Sequence, residues 1–348
     1  MNLTAAQIKG RIKNIANKTN ADPRLLMRIY MMDRFLERLS YSKYKDNFII
    51  KGGILVTSMV GVSLRSTMDI DATIKNLNLS EDDILKVVKD IASISLDDNI
   101  SFEVKDVLTI MDNFEYPGLR IEMNALIDKM ITPLKLDIST NDVITPREIE
   151  YAYNLLIEDR KINLWAYNLE TILAEKLETI LSRNVLTTRL RDYYDVYTLM
   201  NIYKDQINRK ILKEAFLATT NKRQSKIEDI DAIINTIENN VEVQNLWIQY
   251  QKKYSYASEI NYEDVIDSKV KKDYENYETA TGTGKLADDY RSLSQVITFK
   301  PQKVVRGAAT KKLTTDTIQS DTLNYEPERF IKKISLVTEN YDDVIDSK

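Results

Sequence analysis

A pair of glycines between an apolar run and two aspartates is the feature that most restricts how this chain can fold. The chain contains only eight glycines in 348 residues, and Gly52 and Gly53 stand together. The residues after them have helical spacing, and residues 67–74 alternate polar and apolar side chains as a strand does. We therefore predict a strand, a turn through the glycines into a short helix, and a second strand that carries Asp69 and Asp71.

The rest of the chain predicts a mixed α and β part followed by a helical part. Apolar periodicity predicts two helices ahead of the glycine pair. Alternating patterns predict further strands at residues 102–110, 119–126 and 134–139. From residue 148 to about residue 256 the spacing is helical. The predicted fold class is α+β, and the predicted divisions are a mixed domain, a helical domain and a C-terminal appendage at residues 1–145, 146–270 and 271–348.

The end of the chain contains a near-repeat. The octapeptide YEDVIDSK at residues 262–269 returns as YDDVIDSK at residues 341–348, with seven of the eight residues identical. A local duplication and a short docking motif both account for it. The sequence assigns no role to the near-repeat or to the appendage.

The composition excludes several classes of enzyme. The chain contains no histidine and no cysteine, so catalytic triads, thiol nucleophiles and zinc sites built on these residues are excluded. Catalysis would have to rely on carboxylates, Lys, Arg and Tyr, and a hard cation held by oxygen atoms is the natural metal. The net charge of −4 gives no overall attraction for nucleic acid, so any basic surface must be local. No apolar run reaches the length of a membrane span, and we expect a cytoplasmic protein without a membrane partner.

Three aspartates form the strongest candidate site. Asp69 and Asp71 lie on one face of their predicted strand, and an aspartate pair of this kind is by itself usually a solvated strand face. Asp137 lies on the polar face of another predicted strand and could complete a three-carboxylate site for two Mg²⁺ ions, which serves in-line phosphoryl chemistry. Gly52 and Gly53 stand at a helix start, where backbone N–H groups bind phosphate and a missing Cβ allows close approach.

Two further charged residues fall on apolar faces of predicted helices. Lys176 lies inside the apolar arc of a helix over residues 169–181, and Asp192 shares an apolar stripe of the following helix. Two interpretations are open for this pair. In the first, Lys176 and Asp192 form a buried salt bridge, or the Lys176 stem is buried while its amino group reaches water. In the second, they face a cleft in which Lys176 meets a triphosphate and Asp192 orients it.

These motifs, taken in order, resemble the AbiEii/AbiGii family of nucleotidyltransferase toxins from type IV toxin–antitoxin and abortive-infection systems. The resemblance covers roughly residues 25–265 and rests on five segments together. The segments are FIIKGG at 48–53, RSTMDID at 65–71, KLDI at 135–138, AEKLETI at 174–180 and RLRDYYD at 189–195. The resemblance implies a polymerase-β-like nucleotidyltransferase domain followed by a helical domain.

The resemblance also implies an activity and partners. Members of the family transfer a nucleoside monophosphate from an NTP to an acceptor. In some cases the acceptor is the 3′ end of a tRNA, and its modification blocks translation and serves antiviral defence. The implied partner is a cognate antitoxin with a DNA-binding winged helix, which in several such systems represses the operon without a stable complex with the toxin. Two alternatives stay open: a small-molecule acceptor, and a non-catalytic module that only binds nucleotide or protein.

Site residues carry over from the resemblance position by position. The aspartates Asp69, Asp71 and Asp137 match the Mg²⁺ ligands. Either Asp192 or Asp195 matches the later acidic motif, and the apolar-face argument favours Asp192. The implied catalytic residues are Asp69, Asp71, Asp137, Lys176 and Asp192. The implied nucleotide-binding residues are Lys51, Gly52, Gly53, Arg65, Thr67, Lys176 and Asp195, of which Arg65 and Thr67 either contact phosphate or pack the loop.

Overall fold

A seven-stranded mixed sheet carries the candidate site. The computed structural model describes residues 3–77, 80–110 and 118–266. In this part of the chain the strands are β1 (Phe48–Lys51), β2 (Ile70–Ile74), β3 (Ser101–Ile110), β4 (Gly118–Ile127), β5 (Met130–Thr140), β6 (Ile149–Asn154) and β7 (Lys161–Ala166). Their order in space is β3-β4-β5-β2-β1-β7-β6.

The helices fall into two groups, one before β4 and one after β7. The first group is α1 (Ala5–Thr19), α2 (Pro23–Tyr41), α3 (Gly52–Val60) and α4 (Glu81–Ala92). The second group is α5 (Leu169–Arg183), α6 (Leu190–Tyr203), α7 (Arg209–Arg223), α8 (Ile230–Glu238), α9 (Val241–Lys253) and α10 (Tyr262–Val265). No helix among the described residues is long and apolar enough to cross a membrane.

The first helices begin where side chains accept hydrogen bonds from free backbone N–H groups. Thr4 and Gln7 form a capping box before α1. Asp22 caps α2, and Pro23 occupies the first helical position, where its missing N–H costs nothing. Ser80 caps α4, whose first turn is acidic. These local signals explain why the two helices predicted ahead of the glycine pair are confirmed here.

One face of the sheet is apolar and is covered by helices. On β2, Ile70 and Ala72 are fully buried and alternate with Asp71, while on β5 the buried Leu136 precedes Asp137. Helix α2 packs against β5 and β7, and α4 packs against β3. Because successive strand residues point to opposite faces, both aspartates lie on the other face of the sheet. The alternation predicted for the strand of Asp137 is confirmed. The strand predicted over residues 67–74 is wrong at its start, because β2 begins at Ile70 and Asp69 lies in a bend before it, and Thr73 on its polar face is buried.

The prediction of helix from residue 148 is wrong for the segment before Leu169. Residues there form the antiparallel hairpin of β6 and β7, and β7 pairs in parallel with β1. On β7 the buried residues Ile162, Leu164 and Ala166 recur at every second position, which is a strand period. We therefore propose that the helical part begins at Leu169 and that the sheet extends past the boundary near residue 145.

Helix α3 is one of the connections between the helical part and the sheet. Helix α5 packs against α6 and α7, and α6 in turn contacts α3, α9 and α10. Helix α3 follows β1 directly, so α6 reaches the glycine pair through it. The near-repeat begins in α10 and is described as far as Ile266, whereas its remaining residues 267–269, its second copy and the appendage lie outside the described residues.

Candidate active site

The glycine pair forms the junction between β1 and α3. Gly52 has a φ of +59°, a value that favours glycine, and a Cβ added there would stand 2.3 Å from Asp71 Oδ2. A Cβ on Gly53 would stand 2.5 Å from Thr67 Oγ1. The Gly53 N–H donates to Asp71 Oδ2 at 3.0 Å. The two glycines therefore allow a carboxylate and a hydroxyl of the chain itself to lie directly against the backbone.

Four charged residues form a row across one face of four neighbouring strands. Lys51 on β1 pairs with Asp71 on β2, which is level with Asp137 on β5, which pairs with Arg120 on β4. Residues in register on neighbouring strands point to the same face. This charge row thus places two carboxylates at its centre and a cation at each end.

The third predicted ligand, Asp69, lies just before β2 and is half-buried. Burial raises its pKa, the negative charge of Asp137 raises it further, and Arg120 and Lys135 oppose the rise. Burial likewise raises the pKa of Asp71, and the negative charges of Asp137 and Asp69 raise it further. The three aspartates are therefore close enough to repel one another, and a cation would relieve this repulsion.

The carboxylates fit a hard divalent cation in chemistry but are engaged by protein groups. Asp137 accepts two hydrogen bonds from Arg120, from Nε at 2.8 Å and from Nη2 at 2.7 Å. Asp71 accepts a hydrogen bond from the Gly53 N–H. Among residues 3–77, 80–110 and 118–266, no three acidic side chains are already arranged to hold a metal ion. The donor set nevertheless contains only oxygen atoms, which suits Mg²⁺.

Lys51 is held at its end of the charge row by a polar cluster. Its Nζ pairs with Asp142, which also accepts hydrogen bonds from Ser139 Oγ at 2.7 Å and Tyr167 OH at 2.8 Å. Burial opposes the charge of Lys51, but Glu175 and Asp142 together hold its pKa above the ordinary value. Lys51 is consequently a fixed, charged group beside the glycine pair.

The charges predicted on apolar helix faces form a second, buried group. Lys176 Nζ donates to Asp192 at 2.9 Å and to Asp195 at 2.7 Å, and Arg65 grips Asp195 with two hydrogen bonds at 3.0 and 3.1 Å. Arg189 Nε completes the set at 2.7 Å from Asp192. These five residues are here called the ion-pair network, and Asp195 lies at its centre. Their contacts are the ones that the salt-bridge interpretation of Lys176 and Asp192 requires.

Electrostatics explains why the ion-pair network tolerates burial. Asp195 is fully buried, which alone would raise its pKa, yet Arg65 and Lys176 lower that pKa to about 2. Lys176 is 9% exposed, and Asp192 and Asp195 hold its pKa above the ordinary value despite burial. Arg65, Lys176 and the two aspartates therefore each have a partner from a different segment, because Arg65 precedes β2, Lys176 lies on α5 and both aspartates lie on α6, whereas Arg189 pairs within the network only with Asp192, three residues along the chain.

The ion-pair network reaches the glycine pair through Arg65. A Cβ on Gly53 would stand 2.9 Å from Arg65 Nη1, so this guanidinium packs directly against the glycine. Thr67 packs against the same position. Arg65 and Thr67 therefore both pack against the loop at Gly53, and their contact with phosphate stays a prediction. The predicted site residues thus form two groups, one on the sheet and one in the helical part, joined at Gly53.

Sequence reasoning missed Arg120 and Asp142. Asp142 lies beyond β5 in an irregular segment and carries no recognisable pattern. Arg120 could have been found, because Asp128 and Lys129 form a two-residue turn between β4 and β5. In an antiparallel hairpin the turn fixes which residues pair, and this turn pairs Arg120 with Asp137.

Comparison with known proteins gives one family model that matches most of the chain. The model described as nucleotidyl transferase AbiEii toxin, type IV TA system, matches residues 34–276. Crystal structures that match the chain include JHP933 from Helicobacter pylori, with 19% identity, a TM-score of 0.40, and coverage of 74% of this chain and 98% of that one. An antigenic nucleotidyltransferase-like protein from Paracoccidioides brasiliensis shows 16% identity, a TM-score of 0.33, and coverage of 62% and 98%. No curated protein matches the sequence.

Proposed function

Because the chain belongs to the AbiEii family of nucleotidyltransferase toxins of type IV toxin–antitoxin systems, we propose that it transfers a nucleoside monophosphate from an NTP to the 3′ end of a tRNA. Family membership shows that the chain is a nucleotidyltransferase, and the identity of the acceptor is what we propose. The observation that carries the proposal is the charge row, in which Asp71 and Asp137 lie level on neighbouring strands beside the glycine pair.

Mg²⁺ is the proposed metal, with Asp69, Asp71 and Asp137 as its ligands. When bound, it neutralises the crowded carboxylates and polarises the phosphate at which substitution occurs. Gly53 holds Asp71 by its N–H group at 3.0 Å, which fixes one carboxylate oxygen and leaves the other for a cation. The raised pKa values of Asp69 and Asp71 support this assignment, because a cation removes the repulsion that contributes to the rise.

The residues of the chain divide the transfer among them. Asp137 accepts the proton of the acceptor hydroxyl, whose oxygen then forms a bond to the α-phosphorus of the NTP. The bond from this phosphorus to the bridging oxygen breaks, and pyrophosphate leaves in line. Because the Gly53 N–H already serves Asp71, phosphate binding is assigned to Lys51 and to the other N–H groups in the first turn of α3, which have no intrahelical partner.

The ion-pair network is assigned a positioning role. Arg65 packs against Gly53, Asp195 on α6 holds Arg65 by two hydrogen bonds, and Lys176 on α5 in turn holds Asp195. Lys176 and Asp192 remain in the proposed machinery because their burial fixes the helical part against the site. This role needs no direct contact between Lys176 and the triphosphate.

The family supplies the proposed biological setting. A type IV system pairs the toxin with a cognate antitoxin. We propose that this antitoxin binds DNA and represses the operon without a stable complex with the toxin, and that the system serves antiviral defence by abortive infection. The proposed reaction is cytoplasmic, because NTPs and tRNA are found there.

The test is transfer of label from each α-³²P-labelled NTP to total RNA or to a small-molecule extract. We expect labelled RNA in the tRNA size range with the wild-type protein and none with Asp71→Ala. The exposed Asp82→Ala is the matched control and should retain full activity. If label is found only on small molecules, the acceptor is a small molecule and not RNA. If cells that express Asp71→Ala are still inhibited in growth, the non-catalytic module is favoured.

A further inference from the structure

Arg120 occupies a place in the site that the proposed function does not explain. Its guanidinium is paired to both oxygens of Asp137, the residue assigned as metal ligand and proton acceptor. A two-pronged pair of this kind is among the stronger ionic contacts in proteins. Either Asp137 is no ligand, or Arg120 leaves it when a cation arrives.

The exposure of this pair distinguishes it from the buried arginine–carboxylate pair of the ion-pair network. The side chains of Arg120 and Asp137 are 32% and 20% exposed, whereas those of Arg65 and Asp195 are 3% and 0% exposed. A buried partner left alone would be an uncompensated charge, but a partly exposed guanidinium can be hydrated once released. The Arg120–Asp137 pair is therefore the exchangeable one.

A guanidinium released from Asp137 would have a second anion to bind, the triphosphate of the nucleotide. The hydrogen bonds to Asp137 are the main cause of the raised pKa of Arg120, and the negative charge of Asp69 also raises it. The charge row places Arg120 on the same face of the sheet as the two central carboxylates, where a triphosphate would lie. Guanidinium binds phosphate oxygens with the same fork geometry as carboxylate oxygens.

We propose that Arg120 is an exchangeable counter-ion: it neutralises Asp137 in the metal-free protein, yields Asp137 to a divalent cation, and then pairs with a phosphate of the nucleotide. This inference rests on the proposed function, because it takes Asp137 to be a metal ligand. It makes Arg120 a direct competitor of the metal, and so predicts an effect opposite to that of removing an ordinary active-site residue.

The experiment measures binding of Mn²⁺ alone by electron paramagnetic resonance, without nucleotide or acceptor. We expect Arg120→Gln to bind Mn²⁺ about tenfold more tightly than the wild type, since a charge-assisted contact no longer competes. Lys135→Gln is the matched control, because Lys135 lies two residues from Asp137 on β5 and contacts Glu122 at 3.4 Å. It removes the same charge without a contact to Asp137 and should change the affinity by less than about threefold.

Further variants make the result decisive. Adding Asp137→Asn to Arg120→Gln should abolish the gain in Mn²⁺ affinity, and Arg120→Lys, which keeps the charge but loses the fork, should fall between wild type and Arg120→Gln. In steady-state assays the KM for the NTP should rise several-fold in Arg120→Gln. Circular dichroism checks that each variant is folded.

Two results would overturn the inference. If a folded Arg120→Gln binds Mn²⁺ no more tightly than the wild type, Arg120 does not compete with the metal. If Mn²⁺ binds more tightly but the KM for the NTP is unchanged, the released guanidinium does not meet a phosphate. Tighter Mn²⁺ binding in a protein that transfers no nucleotide would instead reject the proposed function while the competition between Arg120 and metal stands.

Discussion

Gly52 and Gly53 are needed at the site for different reasons. Gly52 has a positive φ and lies against Asp71, whereas Gly53 has an ordinary backbone and lies against Thr67 and Arg65. The first glycine therefore meets a conformational demand and the second a purely steric one. A substitution at Gly53 displaces neighbouring side chains without straining the backbone, which makes it the cleaner position to test.

We predict that Gly53→Ala reduces nucleotide transfer by more than about tenfold, because a shift of the site by a fraction of an ångström suffices. The control is Gly10→Ala on the exposed side of α1, where nothing stands within 4 Å of an added Cβ. That variant should keep full activity and gain about 0.5–1 kcal/mol in free energy of unfolding. Equal activity of the two variants would show that Gly53 is replaceable.

Asp33 is a buried carboxyl outside the charge row. It accepts hydrogen bonds from Tyr153 OH at 2.8 Å and from the Leu156 N–H at 2.7 Å, and so ties α2 to the hairpin of β6 and β7. Burial raises its pKa to about 7, although both hydrogen bonds oppose the rise. Near neutral pH the folded protein therefore holds a proton on Asp33 that the unfolded chain releases.

We predict that Asp33→Asn removes a pH dependence of stability. Since the pKa is raised on folding, the stability that Asp33 contributes is present at low pH and is lost as pH rises from about 4 to 7. Across that window the wild type should lose unfolding free energy, relative to the Asp33→Asn variant, by about 1.4 kcal/mol per pH unit. Urea unfolding of both proteins at pH 5, 6 and 7 measures this difference, and parallel curves for the two would contradict the assignment.

At the scale of elements, the ion-pair network joins α5, α6 and the segment before β2. Asp195 contacts two buried cations, Arg65 and Lys176. Arg189, by contrast, is 54% exposed and contacts only Asp192 within the network. Burial therefore makes the contribution of Asp195 to stability far larger than that of Arg189.

We predict that Asp195→Asn lowers the free energy of unfolding by about 3–5 kcal/mol, because two buried cations lose the counter-charge that they share. Arg189→Gln, the control, should cost less than about 1 kcal/mol. Because the pKa of Asp195 is lowered to about 2, its contribution should be lost as pH falls from about 4 to 2. Equal losses in the two variants, measured by chemical denaturation at pH 7, would show that Asp195 is not the centre of the network.

The elements that have one buried face could be predicted from the sequence. The strand of Asp137 alternates clearly because one side packs on helices while the other carries charge, whereas the short strand of Asp71 alternates only as far as Ala72, since Thr73 is also buried. The hairpin of β6 and β7 is not predicted, since its apolar residues also fit the helical pattern that follows. The partners of Lys176 and of Asp137 could not be assigned in full, because pairing across distant segments depends on register and packing rather than on local spacing.

At the scale of the whole molecule, metal and nucleotide should stabilise the fold. We predict that Mg²⁺ with NTP at about a hundred times its dissociation constant raises the unfolding midpoint by roughly 5 °C, and that EDTA reverses the shift. Asp71→Asn should show no shift and, without metal, should unfold no earlier than the wild type, because it removes one of three repelling carboxylates. Thermal unfolding followed by circular dichroism measures both, and an equal shift in Asp71→Asn would place the metal elsewhere.

The charge row has a consequence for how the site acts at a distance. Lys51, Asp71, Asp137 and Arg120 carry charges in the order plus, minus, minus, plus. Asp69 lies beside the two central carboxylates, and Asp142 pairs with Lys51, so the site as a whole carries four carboxylates against two cations and repels a polyanion when it holds no metal. Two divalent cations bound at its centre would reverse the sign of this net charge. The metal would then act as a switch for long-range attraction, and a polyanion would be drawn to the site only when that site is ready to react.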